Sequence, residues 1–209
     1  MKNLPIFVLL FVFNSIAFSQ TCLETAKVIE PVVNENARKI YETKFVEAKA
    51  DYDKNPNNAD VIIWLGRRMA YLGNYKEAIK IFTKGIEKFP KDARFYRHRG
   101  HRFITLRCFD DAIKDFEKAA KLVKGKADEI EPDGLPNARN IPTSTLKTNI
   151  FYHLGLAYYL KGDFKNALKA YKNCEKFSTN PDMLVATKHW LYMTLRRLGK
   201  TKEAEKINR

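Results

Sequence analysis

The side chains best suited to chemistry in this sequence are its four histidines, and their spacing is a first test for a metal site. His98 and His101 lie three residues apart, as two ligands on one face of a helix would. No spacing in the chain matches a recognised zinc motif, and the basic residues beside these histidines would repel a divalent cation. We therefore predict no metal ligands, and a metal-dependent enzyme is the least favoured function.

The motifs of common enzyme mechanisms are missing from the sequence. It has no glycine-rich phosphate loop, no His-Glu-x-x-His and no Gly-x-Ser-x-Gly. Asp110 and Asp111 are adjacent carboxylates, but they lie where a helix is expected to begin, and acids there complement the helix dipole. The sequence predicts no catalytic residues, no cofactor and no enzyme activity.

The N-terminal residues have the pattern of a secretory signal peptide. Lys2 precedes an apolar run at residues 6–13, and the small residues Ala17 and Ser19 follow. The run is well short of the roughly 20 apolar residues that span a bilayer, which disfavours a retained anchor. We expect residues 1–19 to be removed after export to the periplasm or the exterior. No later stretch is long and apolar enough to predict a transmembrane segment in the mature chain.

Three cysteines, at positions 22, 108 and 174, are too few and too widely spaced for a disulfide framework. In an exported chain, their odd number leaves at least one thiol unpaired. Lipid attachment at Cys22 is a less favoured alternative, because Ser19, Gln20 and Thr21 do not match the residues that precede a lipidated cysteine.

The charge of the chain favours anionic partners. Lys and Arg total 38 against 24 acidic residues, a formal net charge of +14. Many of the lysines are scattered along outward faces of predicted helices, where they serve solvation. Only the clustered part of the charge is therefore informative about binding.

An internal repeat organises most of the chain. A set of small and aromatic residues recurs after 34 residues, and again 55 residues later, which is one period plus a 21-residue insertion. The three copies are Gly66, Tyr75, Ala78, Phe82; Gly100, Phe109, Ala112, Phe116; and Gly155, Phe164, Ala167, Tyr171. A looser fourth copy contains Gly199 and Ala204. Cys174 falls at a position that otherwise holds a small residue, so we expect it to fill the core.

This pattern, together with Leu65, Gly73, Pro90, Leu154 and Gly162, resembles the tetratricopeptide-repeat family over about residues 59 to 209. The resemblance implies an all-α, right-handed superhelical solenoid of helix-turn-helix repeats, and an exported bacterial-type member of the family. Each repeat glycine lies within a helix, where it costs roughly 1 kcal/mol relative to Ala, so a close helix crossing must offset it. We expect Ala78, Ala112 and Ala167 to supply the small facing surface.

The period also divides the chain. Residues 20–58 form an N-terminal segment with a leading capping helix, and residues 59–126 contain the first two repeats. Residues 127–147 form an acidic, proline-containing insertion, which we expect to be an ordered flap, and residues 148–209 contain repeats three and four. In the last helix, Ala204 and Ile207 lack an obvious cover, which leaves end-to-end homo-oligomers open.

In the family, the first helices of successive repeats line the concave surface that usually takes the ligand. Shifting one face of the first helix by the period places all four histidines, several arginines and a run of aromatics on that surface. The predicted groove residues are Trp64, Arg67, Tyr71, Arg94, Arg97, His98, His101, Tyr152, His153, Tyr159, His189 and Arg196. For Tyr152, Tyr159 and Trp190, filling gaps between helices is an equally favoured role.

Arg99 departs from the family pattern, because it stands where Leu65 and Leu154 stand in the neighbouring repeats. A charge on a packing face is costly unless it is paired. We expect the insertion to fold back so that Glu129, Glu131 or Asp133 pairs with Arg99 or with its neighbours Arg97 and Arg102. The alternative is that Arg99 extends to solvent.

The function that these features favour is a protein- or peptide-binding scaffold with a basic, aromatic-lined groove. A partner with acidic side chains or a free carboxylate would suit it, and no nucleic acid is expected. Binding of an anionic envelope polymer is the alternative, and its affinity would fall steeply with salt.

Overall fold

The structure is a computed structural model that describes residues 21–132 and 142–207. The predicted signal peptide and Asp133 of the insertion lie outside the described residues. The described helices are α1 Cys22–Thr25, α2 Glu35–Lys54, α3 Ala59–Tyr71, α4 Tyr75–Lys88, α5 Ala93–Thr105, α6 Phe109–Val123, α7 Leu146–Lys161, α8 Phe164–Glu175, α9 Pro181–Arg197 and α10 Thr201–Glu205. Within these residues, the only β pairing is an isolated antiparallel bridge between Ile130 and Thr145.

The helices form successive helix-turn-helix pairs, which confirms the predicted all-α solenoid. Within each pair the two helices pack on each other, and the second helix then packs on the first helix of the next pair. The first helices α3, α5, α7 and α9 also contact each other in that order, while α2 covers α3 at the open end. No helix among the described residues is long and apolar enough to cross a membrane.

The repeat glycines allow an aromatic ring to lie directly on a helix backbone. A Cβ atom on Gly66 would lie 2.5 Å from the ring of Phe82, and one on Gly155 would lie 2.6 Å from the ring of Tyr171. The close crossing was predicted, but its partner is the aromatic ring of the second helix. The repeat alanines, such as Ala78, are fully buried elsewhere in the core.

The turns between paired helices depend on left-handed backbone conformations. Gly73, Gly162 and Gly199 have φ values of 85°, 87° and 71°. Arg107 occupies the corresponding position in the second repeat with a φ of 63°. An L-residue with a side chain pays about 1–2 kcal/mol for this conformation, so the second turn is strained.

A disulfide bond joins Cys22 to Cys108, 86 residues apart. It ties the N-terminal segment to the strained turn, and this segment also contacts the first turn, where Pro31 packs on Gly73 and the Lys76 ammonium donates to the Glu24 carbonyl. The sequence analysis did not identify this bond. A lipid thioether on Cys22 would need the same Sγ atom, so this bond and lipid attachment are alternatives. Cys174 is a buried free thiol, as expected.

Arg99 pairs with neither the insertion nor solvent. Its guanidinium donates to both carboxylate oxygens of Asp115, at 2.7 and 2.8 Å, and to the Thr83 hydroxyl at 3.0 Å. Asp115 lies on α6, within the same repeat, and is 3% exposed. The charge on the packing face is therefore neutralised inside the helix pair.

The apolar residues at the C-terminal end are covered by the third and fourth repeats. Ala204 is fully buried, and Ile207 packs against the cluster formed by Ala167, Tyr171 and Leu191. Both residues therefore have apolar cover within the chain, whereas the expectation of end-to-end pairing assumed that they had none.

Candidate functional site

Five of the predicted groove residues line one pocket between α3 and α5. This basic pocket, of about 110 Å³, is lined by Arg67, Ala70, Tyr71, Phe82, Arg97, His98, His101 and Arg102. Arg102 belongs to it although the sequence analysis considered that residue only as a partner for the insertion. Arg67 and His101 are one period apart, so adjacent first helices bring their side chains to one surface.

The carboxylate of Glu131, from the insertion, contacts two residues that line the basic pocket. Its Oε2 atom lies 3.1 Å from Nε of Arg97 and accepts a hydrogen bond from the Asn149 amide at 2.8 Å. Its Oε1 atom lies 3.2 Å from Nε2 of His98. Glu131 is only 7% exposed. The predicted pairing of the insertion with this basic cluster is therefore present, through Glu131 and Arg97.

Pro132, the residue after Glu131, also contacts a residue that lines the pocket. Arg67 donates from Nη2 to the carbonyl oxygen of Pro132 at 2.9 Å. The same guanidinium lies 4.1 Å from the ring centroid of Trp64. The predicted residue Trp64 thus supports Arg67 through a cation–π contact.

Positive charge exceeds negative charge in the pocket. Three guanidinium groups, of Arg67, Arg97 and Arg102, line the pocket, and the Arg97–Glu131 contact is the only ion pair that any of them forms within the described residues. Burial, and after it the nearby Arg97, lower the pKa of Arg102 to about 10. Burial likewise lowers the pKa of Arg97, against the opposing effect of Glu131. The pocket is therefore a site that an additional anion would stabilise.

Three of the four histidines are held neutral at and beside the pocket. His98 accepts at Nδ1 from Arg97 at 2.9 Å and stacks on Phe82. His153 donates from Nδ1 to the Asn149 carbonyl at 2.7 Å, and its ring lies 4.3 Å from that of His101. Burial is the main cause that lowers the pKa of each ring, to about 3 for His153. At neutral pH these rings are therefore polar, uncharged elements of the site.

These histidines do not form a metal site. Across the described ranges, the one group of three potential ligands close enough to share an ion is Cys22, Cys108 and Asp111. Both sulfurs of that group are bonded to each other, so they have no thiolate to offer.

The aromatic residues of the third and fourth repeats pack against each other. The Trp190 indole donates to the Tyr152 hydroxyl at 2.7 Å, and its ring stacks on Tyr171. Tyr159 meets Trp190 edge to face, with ring centroids 5.1 Å apart. Tyr152, Tyr159 and Trp190 therefore fill space between α7, α8 and α9, which was the alternative role considered for them.

Three further predicted groove residues lie away from the basic pocket. Arg94 is engaged by Asp92 and Asp60, whose carboxylates raise its pKa, and it lines a separate polar pocket of about 350 Å³. His189 is exposed beside Trp190. Arg196 is exposed and forms no ion pair with a described residue. The period placed these side chains on the right helices, but not at the pocket.

A second, largely apolar pocket of about 510 Å³ lies between α6, α7 and the end of α8. Phe151 and Phe177 stack at its floor, with ring centroids 5.7 Å apart. Its rim carries Lys121, Lys124, Lys147 and Lys176. Sequence reasoning did not single out this site, because its lysines belong to the scattered charge.

The fold and the pocket together define a helical-repeat protein with a basic pocket between adjacent first helices. Residues 148–180, covering α7 and α8, match the family model described as Tetratricopeptide repeat. This match, the periodicity of the chain and its helix pairs show a fold built from tetratricopeptide-type repeats.

Two curated proteins are similar to parts of the chain. The BBSome complex member BBS4 of Bos taurus is 27% identical over 141 residues, which are 68% of this chain and 23% of that protein. The Hsp70-Hsp90 organizing protein of Triticum aestivum is 35% identical over 79 residues, which are 38% of this chain and 13% of that protein. The chain thus matches less than a quarter of the length of either relative.

Solved structures show the same fold at low sequence identity. A MamA structure superposes with a TM-score of 0.60 and 19% identity, covering 86% of this chain and 92% of MamA. YrrB, described as a TPR protein with an unusual peptide-binding site, gives a TM-score of 0.57 and 19% identity, covering 77% of this chain and 70% of YrrB. The first TPR of Spaghetti (RPAP3), solved with the HSP90 peptide SRMEEVD, gives a TM-score of 0.52 and 20% identity, covering 68% of this chain and 93% of that one.

Proposed function

We propose that the protein is a peptide-binding scaffold whose basic groove takes a protein segment with acidic side chains or a free carboxylate. The observation that carries this proposal is the charge of the pocket, which three guanidinium groups line and where, among the described residues, only Arg97 has a carboxylate partner. Guanidinium groups bind carboxylates through paired, charge-assisted hydrogen bonds, which makes them common anchors of interfaces.

The structural relatives support this type of ligand. YrrB carries a peptide-binding site, and the repeat of RPAP3 binds a peptide with two consecutive glutamates. The Hsp70-Hsp90 organizing protein, by its name, organises other proteins. We infer the same mode here, in which the chain binds a partner without converting it, and we propose no enzyme activity.

We also propose that the mature protein works in an exported, oxidising compartment. The N-terminal signal-like pattern is one support, and the Cys22–Cys108 disulfide is another, since such bonds persist mainly outside the reducing cytosol. Mass spectrometry of the protein from its native source tests this proposal. A mature N-terminus at residue 20 with an intact disulfide is the expected result, whereas an uncleaved chain with free thiols would refute it.

The experiment for the proposed groove is capture of partners from the native envelope fraction with matched charge variants. The double variant Arg67→Gln, Arg102→Gln removes two positive charges from the pocket. The control Lys124→Gln, Arg196→Gln removes two positive charges outside it. We expect the first variant to lose the captured protein and the control to keep it, with circular dichroism showing that both are folded. Equal capture by both variants would place binding elsewhere.

The alternative function, attachment to an anionic envelope polymer, is favoured by the lysine rim of the 510 Å³ pocket. Polymer binding releases counterions, so its affinity falls steeply with salt and is insensitive to the sequence of the ligand. In that case the Lys124→Gln, Arg196→Gln control would lose binding while the pocket variant retained it.

A further inference from the structure

The end of the insertion that enters the pocket is an extended segment with alternating side chains. The Glu131 amide donates to the Ser144 carbonyl at 3.1 Å, and the Leu146 amide donates to the Glu129 carbonyl at 2.8 Å. Ile130 is 71% exposed, whereas Glu131 is 7% exposed. The segment therefore presents a single side chain to the protein, as an extended peptide presents alternate residues to a groove.

The contacts of this segment are those of a bound acidic peptide. The Glu131 carboxylate lies among Arg97, His98 and Asn149, and Arg67 holds the following carbonyl oxygen, of Pro132. A side-chain carboxylate and a backbone carbonyl are thus bound together. None of these contacts depends on the segment being covalently joined to α7.

The fit of Glu131 is incomplete. Nε of Arg97 and Oε1 of Glu131 are both buried, and neither forms a hydrogen bond of good geometry with a described group, although their charges are close. A buried polar atom without a partner is costly. A ligand carboxylate that is free to orient itself would satisfy these atoms better than the tethered one.

The segment can leave the pocket without undoing the start of α7. Asp128 accepts hydrogen bonds from the Thr145 hydroxyl at 2.7 Å and from the Lys147 amide at 3.0 Å. The helix start is therefore held by Asp128, upstream of Glu131. Withdrawal of Glu131 and Pro132 breaks only the contacts to the pocket and the adjacent backbone pairing.

We propose that Glu131 is a built-in ligand of the basic pocket, and that the external partner is an extended acidic segment that displaces it. This inference rests on the proposed function and specifies it. The partner supplies a glutamate side chain to Arg97, His98 and Asn149 and the next backbone carbonyl to Arg67. The tethered segment competes at a high effective concentration, so the unaltered protein binds such segments weakly.

The probe for this inference is the segment itself, made as a fluorescent peptide with blocked ends and the sequence of residues 128–133, Asp-Glu-Ile-Glu-Pro-Asp. Its affinity is measured by fluorescence anisotropy for the unaltered mature protein and for Glu131→Ala. Glu129→Gln, in the same segment but exposed, is the control for charge. A peptide with glutamine in place of the Glu131 equivalent is the control for the carboxylate.

We expect Glu131→Ala to bind the peptide at least about tenfold more tightly than the unaltered protein, because the competitor in cis is gone. Glu129→Gln should behave as the unaltered protein, and the glutamine peptide should bind neither. Arg97→Gln added to Glu131→Ala should abolish the gain. Glu131→Gln, which keeps an acceptor oxygen for the Asn149 amide, repeats the measurement if the alanine variant is poorly folded.

Equal affinities for the unaltered protein and Glu131→Ala, both lost on Arg97→Gln, would overturn the built-in ligand while leaving the peptide-binding function intact. Binding that is insensitive to Arg97→Gln would overturn the proposed subsite. Absence of binding to every folded variant would overturn the inference as well, and the proposed function would then stand or fall on the capture experiment alone.

Discussion

Replacing Arg99 with leucine should destabilise the protein strongly, because it leaves the Asp115 carboxylate buried without its partner. Asp115 is 3% exposed and accepts two hydrogen bonds from Arg99, at 2.7 and 2.8 Å. Breaking a buried ion pair from one side costs about 3–5 kcal/mol. We expect a loss of that size in the free energy of unfolding of Arg99→Leu at neutral pH.

Replacing both partners should recover most of the loss. One period earlier, Leu65 and Ile81 occupy the positions of Arg99 and Asp115, so the double variant Arg99→Leu, Asp115→Ile repeats a solution the chain already uses. Replacing a buried ion pair with apolar residues of similar volume is often neutral or stabilising. The free energy of unfolding of the double variant should be within about 1 kcal/mol of that of the unaltered protein, or higher.

The pH dependence of the single variant provides a separate check. Burial raises the pKa of Asp115, and the bonds from Arg99 oppose that rise. Without Arg99 the folded-state pKa rises further, so the folded form binds a proton that the unfolded form releases above its ordinary pKa near 4. The deficit of Arg99→Leu should therefore shrink by up to about 1.4 kcal/mol for each pH unit as the pH falls toward 4.

Urea denaturation followed by far-UV circular dichroism measures the free energy of unfolding of the unaltered protein, the single variant and the double variant. The reasoning fails if Arg99→Leu costs less than about 1 kcal/mol, since the pair would then behave as a surface ion pair. It also fails if the double variant is as unstable as the single one, because packing rather than an unpaired charge would then cause the loss.

Three further predictions concern the turns, the crossings and the histidines. Reduction of the Cys22–Cys108 disulfide, which spans 86 residues, should lower the unfolding free energy by about 3–4.5 kcal/mol, and an unchanged urea midpoint with reductant would contradict this. Arg107→Gly should raise the unfolding free energy by about 1 kcal/mol, because it removes strain at a φ of 63°. Gly155→Ala should lower the unfolding free energy by about 1–3 kcal/mol, because its methyl group would lie 2.6 Å from a tyrosine ring. The thermal unfolding temperatures of the two variants should therefore shift in opposite directions. Acidification below about pH 6.5 should destabilise the fold, by up to about 1.4 kcal/mol per pH unit for His153. The cause is the folded-state pKa of His153, near 3, which makes the unfolded chain the better proton acceptor. His153→Gln should reduce this dependence of the unfolding free energy on pH, as measured by urea titrations at several pH values.

The candidate site was only partly predictable from the sequence. The 34-residue period brought Arg67, Arg97 and His101 to neighbouring first helices, because residues at equivalent repeat positions face the same surface. The same rule included Arg94, whose own neighbours Asp92 and Asp60 neutralise it. Repeat position specifies the direction of a side chain but not the partners that compete for it.

The sequence by itself determined the repeat architecture, because glycine, alanine and aromatic residues recur jointly at positions where helices must cross closely. It also determined which helices would carry the positive charge. Tertiary structure decided which partners meet: Arg99 and Asp115 as an ion pair, Glu131 and Arg97 as another, and Cys22 and Cys108 as a disulfide. Each pairing joins residues from different segments of the chain, so the packing of the helices sets the distance between them.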